Sequence, residues 1–164
     1  MSSQQCIRMP FCRTVFACIM FSFAATAAYA GDAVEIAILQ NWRGDYPLVH
    51  LDRLPEGLQK SPIGYIGDAG IFTTVWQALK PGEKAPQVDF GRNFIVFSRN
   101  VDFYNRTSIF KVTLKDGVIE VLAMETRSAL PIEDKASMAM AVIPRDGVRS
   151  IQTGTRRIPV SAGH

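Results

Sequence analysis

Apolar residues fill positions 14–25 (TVFACIMFSFAA) almost without interruption, whereas from position 34 onward they recur in short runs with the periods of strands and helices. The first block is about a dozen residues, short of the ~20 needed to cross a bilayer as a helix. Arg8 and Arg13 precede it, and Ala28-Tyr29-Ala30 follows it as an A-x-A site before Gly31. That order is a secretory signal peptide, with cleavage expected between Ala30 and Gly31. Residues 1–30 are therefore set apart from the fold, and 31–164 are expected to form one mature domain.

Within that domain, residues 34–39 (VEIAIL) read as a strand rich in β-branched residues. Residues 40–62 carry Pro47, Pro55, Pro62, Gly44 and Gly57 and read as an irregular wrapping segment, with enough Leu and Val to pack on a core. Tyr65-Ile66 reads as a short strand. Asp68 suits a helix N-cap, and Ile71, Phe72, Val75, Trp76 and Leu79 then form one apolar helical stripe that Lys80-Pro81-Gly82 ends. From there the chain reads as strands and turns: 94–98, 107–114, 118–125, 136–143, 148–152 and 157–160. Asp116-Gly117 predicts a two-residue type I′ hairpin turn, because both positions tolerate positive φ. Such a turn pairs Leu114 with Ile119, Val112 with Val121 and Phe110 with Ala123, and puts all six apolar side chains on one face.

The expected fold is α+β, with one main helix over about 68–80 packed on a curved, mostly antiparallel sheet of five to seven strands. Residues 31–63 would supply a strand and the wrapping loop, and 64–164 the helix and main sheet.

Charge and cysteine content change once the leader is set aside. Of the 18 basic residues, Arg8 and Arg13 lie in it and none of the 15 acidic ones do, which leaves 16 against 15, a net charge of +1. Acids and bases are interspersed, so no clustered basic face points to nucleic acid or an anionic membrane. Cys6, Cys12 and Cys18 all lie in the leader as well. The mature chain is thus expected to have no disulfide, thiol nucleophile or Cys-ligated metal, and to rely on its apolar core.

Val-Asp-Phe occurs twice, at Val88-Asp89-Phe90 and Val101-Asp102-Phe103. Their 13-residue spacing holds one strand and a turn, too little for a repeat unit of about 20–50 residues. Each copy reads as a strand entry, with Phe90 and Phe103 expected buried and no ligand assigned to Asp89 or Asp102. The first copy has a wider context: a helix bearing Trp76, then Pro86-x-Val88-Asp89-Phe90, then the apolar strand Phe94 to Phe97. In this patch the chain resembles exported bacterial proteins of the type named after the protease-complex subunit PrcB, over about residues 65–160. A Gly-Gly-Tyr segment common in that family is replaced here by Tyr104-Asn105-Arg106-Thr107-Ser108. The resemblance implies a β-rich, non-catalytic, protein-binding domain.

Candidate chemistry is sparse. Arg43-Gly44-Asp45 spells an adhesion tripeptide and reads as a surface turn. Asn105-Arg106-Thr107 matches a glycosylation acceptor and reads as a strand entry. Met138 and Met140, two apart on a strand, share a face and offer two soft thioethers to Cu(I), with His50 and Met124 as further ligands; their apolar neighbours equally fit a core. His50 beside Asp52 is the one histidine placed for a Ser-His-Asp set, and no serine lies in a nucleophile-elbow context. Glu133-Asp134 reads as a solvated turn. Tyr46, Tyr65 and Tyr104 are of a residue type favoured at protein interfaces.

The leading expectation is an exported, periplasmic or secreted, non-catalytic binding or accessory module for another envelope protein. It is expected to have no cofactor, no nucleic-acid partner and no membrane association after leader cleavage. A copper-binding protein using Met138 and Met140 is the alternative, and a His50-based hydrolase the third reading.

Overall fold

The computed structural model describes residues 32–59, 61–100, 106–126 and 134–161. In chain order these form β1 (Val34–Glu35), β2 (Gln40–Pro47), a 3-10 helix (Leu48–Arg53), α1 (Glu56–Gln59), β3 (Ile63–Ile66), α2 (Ala69–Leu79), β4 (Asn93–Arg99), β5 (Thr107–Lys115), β6 (Val118–Glu125), β7 (Lys135–Pro144), β8 (Ser150–Thr153) and β9 (Arg156–Pro159). The strands make two sheets, a five-stranded one in the order β1-β5-β6-β8-β9 and a four-stranded one in the order β2-β7-β4-β3. All pairs are antiparallel except β6 with β8. The architecture is mainly β with one longer helix. In place of the single curved sheet of five to seven strands, nine strands are split between two sheets.

Strand alternation explains the layering. Ile95 and Phe97 of β4 and Met138, Met140 and Val142 of β7 pack in one apolar cluster with Phe72, Val75 and Trp76 of α2. The intervening residues, Phe94 and Val96 of β4 and Ala139, Ala141 and Ile143 of β7, pack in a second cluster with Val112, Ile119 and Ile151 of the five-stranded sheet. The four-stranded sheet is therefore the middle layer, covered by α2 on one face and by the other sheet on its second face. This is why β4 and β7 read as unbroken apolar runs: both faces are buried.

The helix follows its sequence signals. Asp68 caps it, its carboxylate accepting the Ile71 N–H at 2.8 Å, and the Lys80 N–H closes the last turn on the Trp76 carbonyl at 2.7 Å. Its inner face places Phe72 and Trp76 against Trp42 of β2, with ring centroids 5.5 and 5.7 Å away. Burying each such side chain stabilises the fold by roughly 1.5–3 kcal/mol.

Two expectations about strands are corrected. The wrapping segment begins with an eight-residue strand, because Gln40–Pro47 pairs along the whole of β7, from Gln40 opposite Val142 to Pro47 opposite Lys135. A strand buried on both faces at β7 needs a partner on each edge, and β2 supplies one. Conversely the strand expected over 34–39 is only two residues of ladder, Val34–Glu35, before the chain crosses from one sheet to the other.

In the hairpin, Asp116 and Gly117 both have positive φ, 50° and 76°, as a type I′ turn demands. Leu114 opposes Ile119 and Val112 opposes Val121, as the turn predicts. The third pair fails: a β-bulge between Ile109 and Lys111 puts Ile109 opposite Ala123 and turns Phe110 outward, where it is 66% exposed.

Candidate functional site

An apolar cleft of about 700 Å³ lies at the outer edge of the four-stranded sheet. Pro55 and Leu58, at and within α1, and Ser61 beyond it form one wall. Asp68, Ala69 and Ile71 at the start of α2 form the next, with Phe90 behind them. Gly64 and Phe97, paired across β3 and β4, form the floor. Tyr65, Ile158 and Ser161 bound the side nearer the five-stranded sheet.

Gly64 decides the shape of the floor. Its backbone does not require glycine, since its φ is not positive. A Cβ placed there would lie 2.7 Å from Cζ and 2.8 Å from Cε1 of Phe97. The ring therefore occupies the space a side chain would take and presents itself to the cleft. Any larger residue would fill the cavity and push the ring away.

Two arginines hold the walls by their backbone carbonyls. Arg99, on β4, is almost wholly buried; its Nη2 donates to the Gln59 and Ser61 carbonyls, the latter at 3.3 Å, and its Nη1 to the Tyr46 hydroxyl at 3.5 Å. The Arg99 Nε is buried without a hydrogen-bond partner. A buried guanidinium is costly unless satisfied, so these acceptors pin the segment after α1 against the sheet. Arg145, in the turn after β7, donates from Nη2 to the carbonyls of Gly67, Phe90 and Asn93 at 3.3–3.5 Å. Its Nη1 donates to the Ser161 carbonyl at 2.6 Å. The Tyr65 hydroxyl accepts the Ser161 N–H at 3.1 Å and so ties the last described residue to β3.

The lining carries little reactive chemistry. Asp68 is its one charged side chain among the described residues, and one oxygen of that carboxylate accepts the Ile71 N–H of the helix cap. Serine hydroxyls are present, but the Ser61 hydroxyl donates to the Ile63 carbonyl. What the cleft offers is apolar surface with a hydrogen-bonding rim, the composition of a binding site.

The residues singled out from the sequence are dispersed. Tyr65 lines the cleft. Tyr46 does not belong to any exposed surface: it is 1% exposed, and burial pushes its phenol above the usual 10.0 while the Arg99 guanidinium pulls the other way. Tyr104, Phe103 and Asp102 lie outside the described residues, as do Ala30, Gly31, Asn105 and Glu133. Met138 and Met140 are buried in the cluster that contains Phe72 and Trp76, whereas Met124 is more than half exposed on β6, in the other sheet. The thioethers are core fillers, closed in by aromatic and aliphatic neighbours. The half-buried His50 places Nδ1 3.2 Å from the Ala78 carbonyl, a contact that ties the 3-10 helix to α2; no serine or carboxylate of the described residues bonds its ring. Phe90 is half-buried, its ring tilted by 58° to that of Phe72 with centroids 6.0 Å apart. Arg43-Gly44-Asp45 sits within β2, not in a turn.

Sequence reasoning missed the cleft. Its residues come from α1, β3, α2, the turn after it, β4 and β9, and no local spacing links them. Comparison of the chain with protein-family models, with curated proteins and with solved structures finds no match.

Proposed function

We propose that the chain is an exported, non-catalytic binding or accessory module, acting on another envelope protein through the cleft between α1, α2 and β3. The observation that carries this reading is the cleft itself. It leaves Ile71 and the half-buried Tyr65, Phe90 and Ile158 lining an open concavity over a floor closed by buried Phe97, and its one charged group among the described residues caps a helix. Open apolar surface of this extent is costly in water unless something covers it. Export rests on the leader-like residues 1–30, and the non-catalytic reading on no nucleophile and base being brought together among the described residues. The resemblance to the PrcB type points the same way. A photo-crosslinking residue in place of Ile71, in protein incubated with envelope extract, tests the reading. It is expected to yield a discrete protein adduct that a residue placed at Arg156, outside the cleft, does not. Adduct patterns identical at the two positions would overturn it.

A further inference from the structure

β3 is the last strand of its sheet, pairing with β4 and with no strand on its other side among the described residues. The Arg99 N–H donates to the Pro62 carbonyl at 2.7 Å, which sets the phase of the β3–β4 ladder. In an antiparallel pair, alternate residues turn their N–H and C=O to the partner. Pro62, Gly64 and Ile66 thus face β4, while Ile63 and Tyr65 direct theirs to the open side. The Ser61 hydroxyl bonds the outward Ile63 carbonyl. Among the described residues this leaves the Ile63 N–H and both main-chain groups of Tyr65 without a partner along the edge.

That edge runs through the cleft. Gly64 and Phe97 point to the α2 side of the sheet, and Tyr65 and Ile158 belong to the apolar layer on its other side, yet all four line the same concavity. The cleft therefore straddles β3, with apolar walls on both sides of a row of main-chain donors and acceptors. A round apolar ligand would leave those groups unmatched. An extended polypeptide would match both, its backbone on the β3 edge and its alternating side chains against the two walls.

We infer that the occupant is an uncharged, extended segment of the partner protein, which adds to the sheet as a strand beside β3. This rests on the binding reading above and names the chemistry of the ligand. The side chain directed to the α2 side of the edge meets Ile71 and Phe90 and is a large apolar one; so is its neighbour two residues away. Acidic residues at these positions are rejected, because the one charged side chain of the lining among the described residues is the Asp68 carboxylate.

The probe is a displayed library of random nonapeptides selected on the purified protein, followed by synthetic copies of the selected peptides. Sequences with apolar residues at every second position are expected. On binding, amide exchange at Ile63 and Tyr65 slows by about tenfold or more, the protection a new ladder bond confers. N-methylation of the peptide amides that face β3 weakens binding by about tenfold, and methylation of the intervening amides does not. Ile71→Lys, on the exposed rim of α2, abolishes selection while leaving the far-ultraviolet spectrum unchanged. Peptides that bind in an Ile71-dependent way, yet leave the Ile63 and Tyr65 exchange rates unchanged and tolerate both methylation patterns equally, would overturn strand addition and leave the binding reading standing. Failure to select any peptide sensitive to Ile71→Lys would overturn both.

Discussion

Replacing Gly64 by alanine sets two effects of opposite sign against each other. Alanine narrows the unfolded ensemble, which favours folding by about 0.4–1 kcal/mol where the native backbone accepts it. The backbone at Gly64 is of that kind, since its φ is not in the left-handed region. Against this, the new methyl would lie 2.7 and 2.8 Å from two ring carbons of Phe97. Ordinary carbon–carbon contacts are about 3.5–4.0 Å, so the ring must retreat by close to 1 Å. Phe97 is fully buried, with Ile66 and Ile95 in the same cluster. Such overpacking costs about 1–3 kcal/mol, and the net is a loss of about 1–2 kcal/mol. In urea, with a slope of about 1–3 kcal/mol/M for proteins of this size, the midpoint falls by roughly 0.5–1 M. Gly44 supplies the control, because it also lies in a strand at non-positive φ but a Cβ there meets nothing within 4 Å. Gly44→Ala is expected to be neutral or to gain up to about 1 kcal/mol. Combining Gly64→Ala with Phe97→Leu should recover about 1 kcal/mol or more relative to additivity. A Gly64→Ala protein as stable as Gly44→Ala, or an additive double variant, would refute the account of the cleft floor.

Three further outcomes can be measured. Asp68→Ala removes the acceptor for the Ile71 N–H and should lower stability by about 1 kcal/mol, read by urea unfolding, with Asp68→Asn retaining most of it. Phe110→Ser should change stability by no more than about 0.5 kcal/mol, because the bulge already exposes that ring, whereas Val112→Ala, two residues on and fully buried, should cost well over 1 kcal/mol; equal effects would contradict the register. Burial raises the Tyr46 pKa above 10.0 in the folded state, so the stability linked to its bound proton is fully present below pH 10.0 and is lost as pH climbs through the raised value. Tyr46→Phe is less stable at neutral pH, having lost the Arg99 bond, but lacks this alkaline loss. The gap between the two proteins in unfolding free energy should narrow as pH rises past 10.0, and a gap that widens would contradict the buried position.

Hairpin and helix show how far local chemistry reaches. Asp116-Gly117 specifies its turn and, through it, the pairs Leu114 with Ile119 and Val112 with Val121, because a two-residue loop leaves no freedom of register. That certainty decays with distance from the turn. One inserted residue at Phe110 shifts everything beyond it, and nothing in an alternating apolar pattern marks which of Ile109 and Phe110 will face inward. The helix is equally local: its cap, stripe and stop lie within residues 68–82, and the structure keeps them.

β2 is different. Trp42, Gly44 and Tyr46 alternate with Arg43 and Asp45, a period-2 signal, but glycine, proline and the charged tripeptide are also turn chemistry. What makes the segment a strand is the bare edge of β7, 88 to 102 residues away in sequence. The fate of the tyrosines follows from the same pairing. Tyr46 turns inward to Arg99 because β2 is laid against β7, and Tyr65 reaches the cleft because β3 is the strand at which the sheet ends.

The sequence by itself determined what depends on neighbours along the chain: the helix, the hairpin turn and the apolar runs that become β4 and β7. Only the tertiary structure decided that the strands divide into two sheets, that Met138 and Met140 are core rather than surface, and that a cleft opens beside β3. The physical reason is that a cleft is made by what fails to meet. Gly64, the Phe97 ring, the start of α2 and Ile158 each obey their own local rules. The segments that border the space between them are fixed in place by Arg99 and Arg145, distant in sequence from the carbonyls they hold.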